Sequence, residues 1–230
     1  MYRHLFFDAD GTLFDFDRAE QQAFALMAQE LSLPSDESAF ALYKSCNEEC
    51  WKLFEKGMVT LAQLKTQRFD RFFSSLSLEG DSEKASASYQ YHLSGQGILF
   101  EQSIKVLQVL TERGYTLYLA SNGIADVQRG RIAHAKIGPY FKGIYISEEL
   151  GVQKPDTRFF EQMLGKEQLL DHKKSCLMIG DSLSSDIKGG IDSGLDTVWI
   201  NAGNQEPQGV VPTYTLTHLG QLLQLLSSPI

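Results

Sequence analysis

Cysteine is scarce in this 230-residue chain, positive charge is in deficit, and long apolar runs are missing. Three cysteines are an odd number, and Cys46, Cys50 and Cys176 form no CxxC pair of the kind that holds zinc. They are expected as packing residues in a reducing compartment. Lys and Arg total 21 against 29 Asp and Glu, a net charge of −8 that argues against a broad grip on a nucleic-acid polymer. Nothing approaches the ~18 continuous apolar residues of a membrane span. The start "MYRHLFFDADG" is interrupted by acids too early for a signal peptide, so the expectation is a cytoplasmic protein without a membrane partner. The five histidines show no HExxH or paired-ligand spacing. No GxxxxGK[ST] or GxGxxG pattern occurs, against P-loop and dinucleotide-binding readings. Internal repeats and low-complexity stretches are also missing.

What is present is an ordinary globular composition, 43% hydrophobic and 22% charged. The length suits one domain with a modest insertion. Short apolar runs ending in turn residues recur at "HLFFD" (4–8), "TLYLASNG" (116–123), "GIYIS" (143–147), "CLMIGD" (176–181) and "TVWIN" (197–201). Helical patterns separate the later ones, at 104–110, 127–135, 159–164 and 183–191. Strands alternating with helices, and apolar on both faces, predict an α/β fold: a Rossmann-like parallel sheet with helices on both faces. In such a sheet the binding crevice lies beyond the carboxyl ends of the strands, where Asp8, Ser121 and Asp181 fall.

Residues 18–94 break the alternation. Leu26, Phe40, Leu53, Leu64, Phe69 and Phe72 recur at helical spacing, and Asp17, Ser35 and Thr60 read as helix starts. Gly57 punctuates two helices and "SLEGDSEK" (77–84) reads as a turn. The pattern predicts an all-helical insertion of about four helices after the first strand, with hinges at 14–17 and at "LSGQG" (93–97). The expected division is a core of 1–15 and 97–230 and a helical cap of 16–96.

Alternate side chains of an extended chain share a face about 7 Å apart, so Asp8 and Asp10 address one site from adjacent depths. Two bare carboxylates there repel unless a cation compensates. "IGDSLSSD" (179–186) adds Asp181 and Asp186 at a second strand end. Such a hard, oxygen-rich site suits Mg²⁺. With a metal present, one carboxylate can act as nucleophile and another as general acid/base on a phosphate ester. Ser121 and Asn122 supply a hydroxyl, an amide and backbone N–H groups for phosphoryl oxygens. Lys154 supplies a point charge, stiffened by Pro155, and Gly11-Thr12 lets the backbone bend around an anion.

"DADGT" (8–12), "SNG" (121–123), Lys154-Pro155 and "GDSLSSD" (180–186), in that order, resemble the four motifs of the haloacid dehalogenase superfamily. The resemblance spans essentially the whole chain, the place of the helical insertion included. It implies that Asp8 is the nucleophile and Asp10 the general acid/base. It implies further that Asp8, the Asp10 carbonyl and Asp181 bind Mg²⁺. Thr12, Ser121, Asn122 and Lys154 would hold phosphate, with Asp186 orienting the site.

"FDFD" (14–17), Asn47, Trp51, Gly57, Leu64, "RF" (68–69), "ISEELGVQKPD" (146–156) and "WINAGN" (199–204) resemble the noncanonical pyrimidine nucleotidases within that superfamily. Those act on pyrimidine nucleoside 5′-monophosphates, modified bases included. Phe14, Phe16, Trp51 and Phe54 are candidates to stack on a flat base, and Asn47 to read its polar edge. The aromatics Trp51, Phe54, Phe69 and Phe72 equally fit packing within the insertion. "ILFEQS" (98–103) departs from relatives that carry a Pro-Gly pair there.

The expected function is therefore a Mg²⁺-dependent phosphomonoesterase working through an aspartyl-phosphate on a small phosphorylated metabolite, foremost a pyrimidine nucleotide. A phosphatase or phosphomutase of small sugar phosphates or phosphoglycolate shares every core residue. A dehalogenase needs no metal and lacks the second acid, so Asp10 and Asp181 count against it. A non-catalytic phosphate- or partner-binding module needs no general acid. Monomer and homodimer stay equally open.

Overall fold

A computed structural model describes residues 1–207 and 209–227. The chain forms a six-stranded sheet in the order β3-β2-β1-β4-β5-β6, every neighbouring pair parallel. The strands are β1 (His4–Phe7), β2 (Thr116–Ser121), β3 (Phe141–Ile146), β4 (Cys176–Gly180), β5 (Asp196–Ile200) and β6 (Tyr214–Leu216). Five answer the five apolar runs. The sixth went unread because it is three residues long and none of them is buried.

Alternation along the strands sorts side chains to two covered faces. Leu5, Phe7, Leu117, Leu119, Leu177 and Ile179 pack on one side with Val106, Leu107, Leu110 and Leu222. Those partners come from α5 (Ser103–Glu112) and α8 (Leu222–Leu225). Phe6, Tyr118, Ala120 and Met178 pack on the other side with Phe159, Phe160, Met163 and Leu164 of α7 (Thr157–Lys166). Burying both faces removes apolar surface from water worth about 25 cal/mol per Å².

Between β1 and α5 come α1 (Phe16–Glu30), α2 (Glu37–Glu55), α3 (Leu61–Ser75) and α4 (Ser82–Ser94), the expected number of helices. Asp15, Asp36, Thr60 and Asp81 cap their N-termini by accepting from backbone N–H groups of the first turn. Thr60 was expected; the first two caps sit at Asp15 and Asp36 rather than Asp17 and Ser35, because those carboxylates reach Arg18 N and Ala39 N. The four helices share a core of stacked aromatics: the Phe24 and Tyr43 rings lie 4.9 Å apart and those of Tyr43 and Phe69 5.4 Å. All three cysteines are buried free thiols.

The two linkers run side by side. Asp15 N donates to Ile98 O at 3.1 Å and Phe100 N to Leu13 O at 3.0 Å. No described helix is long and apolar enough to cross a membrane. Flanked by β2 and β4, β1 lies where the strand order reverses, and the crevice of such a sheet opens beyond its carboxyl end.

Candidate active site

Register brings the acids together. Phe7 is level with Leu119 on β2 and with Ile179 on β4. The next residues, Asp8 and Gly180-Asp181, therefore emerge at one height beside Ala120-Ser121. Asp8 is 7% exposed and Lys154 1%. Lys154 Nζ donates to Asp8 Oδ1, Asp186 Oδ1 and Ala120 O, each at 2.6 Å. Burial works against this ammonium, but Asp186 and Asp8 together outweigh it and keep the lysine charged.

Asp186 is fully used within the protein. Its Oδ1 takes Lys154, and its Oδ2 accepts from Ser182 N at 3.1 Å. Gly180 leaves room for it, since a Cβ there would lie 2.2 Å from Asp186 Oδ2. Gly11 does the same for Asp181: its backbone has φ +79°, and a Cβ would come 2.2 Å from Asp181 Oδ2.

One carboxylate oxygen each of Asp8, Asp181 and Asp186 lie within 4.8 Å of one another. Three carboxylates facing one ammonium leave two negative charges unbalanced. Burial, then the charges of Asp186, Asp181 and Asp10, push the Asp8 carboxyl well up despite Lys154. Asp181 is exposed to solvent, yet desolvation by the surrounding groups and the charge of Asp186 push its carboxyl up to about 7. A divalent cation would relieve both. The donors are hard oxygens, which fits Mg²⁺. With Asp186 bonded to Lys154 and Ser182, Asp8 and Asp181 are the side chains that would hold the ion.

The expected phosphate ligands fare unequally. Thr12 is buried, with Oγ1 3.5 Å from Asp181 Oδ1. Ser121 is buried and its Oγ accepts from Gly123 N at 3.0 Å. Asn122 clasps the main chain of Lys154: Nδ2 donates to Lys154 O and Oδ1 accepts from Lys154 N, both at 2.8 Å. Its amide therefore positions the lysine rather than offering itself to an anion. The Lys154–Pro155 bond is cis.

The Asp10 carboxylate lies against α6 (Ala125–Ala135). Its carboxylate accepts from Gln128 Nε2 at 2.5 Å and from Arg131 Nη1. Neither Gln128 nor Arg131 is marked by the sequence, where they read as ordinary members of a helical pattern. Their i, i+3 spacing after "SNG" is the only available sign.

The candidate base-binding residues separate. Phe14 is wholly buried, its ring under the Arg131 guanidinium at 4.4 Å. Phe16 is half-buried and packs on the insertion's core. Asn47 is buried and bonded at both ends of its amide, Nδ2 to Glu20 Oε1 at 2.7 Å and Oδ1 from Arg68 Nη1 at 3.1 Å. These three residues serve packing and polar pairing in this arrangement.

Trp51 meets Phe54 edge-on at 5.7 Å. A cavity of about 310 Å³ lies between the insertion and the core, lined by Phe54, Leu61, Ser147, Glu148, Val152 and Gln153. Gln153 Nε2 donates across it to Phe54 O at 2.9 Å, and Lys65 Nζ pairs with Glu148 at 2.7 Å. Ser147 Oγ and Gln153 Oε1 are buried without a hydrogen-bond partner among the described residues.

Comparison with known proteins agrees with this geometry. The model of the haloacid dehalogenase-like hydrolase family matches residues 2–194. The pyrimidine 5′-nucleotidase PynA of Streptococcus pneumoniae is 37% identical over 100% of this chain and 97% of its own length. The pyrimidine 5′-nucleotidase YjjG of Escherichia coli is 32% identical over 96% of each. The crystal structure of the HAD-hydrolase YfnB from Bacillus subtilis, solved with magnesium bound, superposes with a TM-score of 0.91 at 32% identity, covering 99% of both chains.

Proposed function

The chain belongs to the haloacid dehalogenase-like hydrolases, and from that membership we propose that it hydrolyses pyrimidine nucleoside 5′-monophosphates to nucleoside and phosphate. The observation that carries the reading is the convergence on Asp8. It follows the central strand with Lys154 on one oxygen, Asp181 beside it and Asp10 two residues on. Asp8 Oδ2 is the nucleophile. It bonds to phosphorus while the bond to the 5′ oxygen breaks, and Asp10 gives that oxygen its proton. Water then attacks the acyl-phosphate, Asp10 takes the water's proton, and the bond between Asp8 and phosphorus breaks. Lys154 holds Asp8 in place and answers part of the phosphoryl charge, with Ser121, Thr12 and nearby backbone N–H groups around the other oxygens. Asp8, Asp181 and the Asp10 carbonyl would hold Mg²⁺, which would supply the charge neutralisation that lets a phosphate approach these acids.

The substrate class rests on the two nucleotidases at 37% and 32% identity along the whole chain. It is supported by the cavity beside Phe54, of a size and aromatic lining that suit a flat base. In this reading residues 16–96 act as a cap that shields the reacting centre from water.

The test is phosphate release with Mg²⁺ over UMP, dUMP, dTMP, sugar phosphates and phosphoglycolate, for the wild type and Asp8→Asn. The expected result is a preference for the pyrimidine nucleotides and no turnover by a folded Asp8→Asn protein. Appreciable turnover by that variant would defeat the mechanism. Equal rates on all esters would leave a general phosphatase.

A further inference from the structure

One helix holds Asp10 from two sides. Gln128 and Arg131 stand three residues apart on α6 and so share a face; Gln128 donates to Asp10 Oδ2 at 2.5 Å and Arg131 Nη1 to Oδ1. Both are interior groups, Gln128 2% and Arg131 0% exposed. The path to Asp10 is kept clear by Gly123, where a Cβ would stand 2.4 Å from Gln128 Nε2. The third residue of "SNG" thereby makes room for an amide that touches the second acid of "DADGT".

The same guanidinium meets both linkers to the helical insertion. Its carbon lies 4.4 Å above the Phe14 ring and 5.5 Å from that of Phe16. Its Nε donates to Gln96 O at 3.2 Å. Burying an arginine is unfavourable unless its charge is answered, and Asp10 is the carboxylate that answers it. An apolar side chain would pack this position without that requirement.

We propose that Arg131 and Gln128 are positioning residues for Asp10, setting where its carboxyl aims relative to the leaving-group oxygen. The inference rests on the role proposed above for Asp10 as proton donor. Donation matters most when the departing oxygen is a poor leaving group, as in a nucleoside or sugar, and little when it is a nitrophenolate. Positioned acid–base groups contribute about 10²–10⁴-fold, and a misplacement of about 1 Å can cost about 10²-fold.

The experiment measures kcat/KM, which reports the first phosphoryl transfer, for p-nitrophenyl phosphate and for an alkyl phosphate. The alkyl ester is UMP, or whichever ester the release screen favours. The proteins are wild type, Asp10→Asn, Arg131→Lys, Gln128→Leu and the double variant Asp10→Asn/Arg131→Lys, each checked by thermal melting. Asp10→Asn, Arg131→Lys and Gln128→Leu should each lower the alkyl-to-aryl ratio by about tenfold or more. Arg131→Lys should not lower that ratio further in the Asp10→Asn background. An unchanged ratio in Asp10→Asn would overturn the proton-donor reading itself. A changed ratio there, with Arg131→Lys and Gln128→Leu slowing both esters alike or adding to Asp10→Asn, would overturn the positioning role alone. Gln128→Leu leaves Arg131 in place, so the question stays decidable if Arg131→Lys does not fold.

Discussion

Lys154 and Asp8, 146 residues apart in the chain, meet with Nζ 2.6 Å from Oδ1. This ammonium also carries the charge of Asp186. Lys154→Met therefore leaves two interior carboxylates without their counter-charge. Removing one partner of a buried pair costs about 3–5 kcal/mol, so urea unfolding of the metal-free variant should show a loss of that order. Phosphate release should fall with it, by about 10²-fold or more. A stable, active Lys154→Met protein would contradict the central place given to this contact.

Magnesium should stabilise the fold as well as support activity. The Asp8 and Asp181 carboxyls both sit above the ordinary range because of desolvation and the charge of neighbouring acids, Asp186 foremost, and a cation that binds only the folded site relieves this. Linkage predicts a gain of about 2.7 kcal/mol at 100 times the dissociation constant. Denaturation with Mg²⁺ and with chelator should show this gain in the wild type and little of it in Asp181→Asn.

The helical insertion carries a pH-dependent element of its own. Burial pushes the Glu20 carboxyl up to about 7, against the bond from Asn47 that favours its charge. Between about 4.5 and 7 the folded chain keeps a proton that the unfolded chain has lost. Glu20's contribution to stability is thus fully present below about 4.5, falls as pH rises through this window, and is level above 7. Glu20→Gln can still accept from Asn47 and should remove the slope. Relative to wild type it should gain roughly 3 kcal/mol on going from pH 4.5 to pH 8. Taking the difference between variant and wild type cancels Asp8 and Asp181, whose carboxyls are also raised. Parallel curves for the two proteins would refute the assignment.

Gly11 tests the packing of the acid cluster. Its φ of +79° and the 2.2 Å approach of a Cβ to Asp181 Oδ2 leave no place for a methyl group. Gly11→Ala should cost about 1–2 kcal/mol in backbone strain. By displacing Asp181 it should also raise the Mg²⁺ concentration needed for half-maximal activity. An unchanged metal requirement would show that Asp181 does not depend on this turn.

The outline of the molecule was legible along the chain because its signals are local. Apolar runs of strand length, periodic helices between them and caps such as Thr60 are written into neighbouring residues. The acids stood at strand ends, where any parallel sheet places its crevice. β6 escaped because three residues, none of them buried, carry too little hydrophobic contrast. Asn122 was read as an anion donor, but its amide faces the backbone of residue 154, a neighbour only in space. Asn47 was read as a base reader for the same reason, its partners Glu20 and Arg68 lying on other helices.

Sequence alone determined the α/β order, the helical insertion and the four acids with their lysine, since each is encoded by residue type at a fixed short spacing. Tertiary structure alone decided what each polar group touches. It placed Lys154 between Asp8 and Asp186, engaged both oxygens of Asp186, and drew Asp10 toward Gln128 and Arg131. The pairings of Lys154 with Asp8 and of Asp10 with Gln128 and Arg131 arise from register and helix packing across more than a hundred residues, that of Lys154 with Asp186 across 32, and hydrogen-bond geometry between such distant positions is set only when the chain has folded.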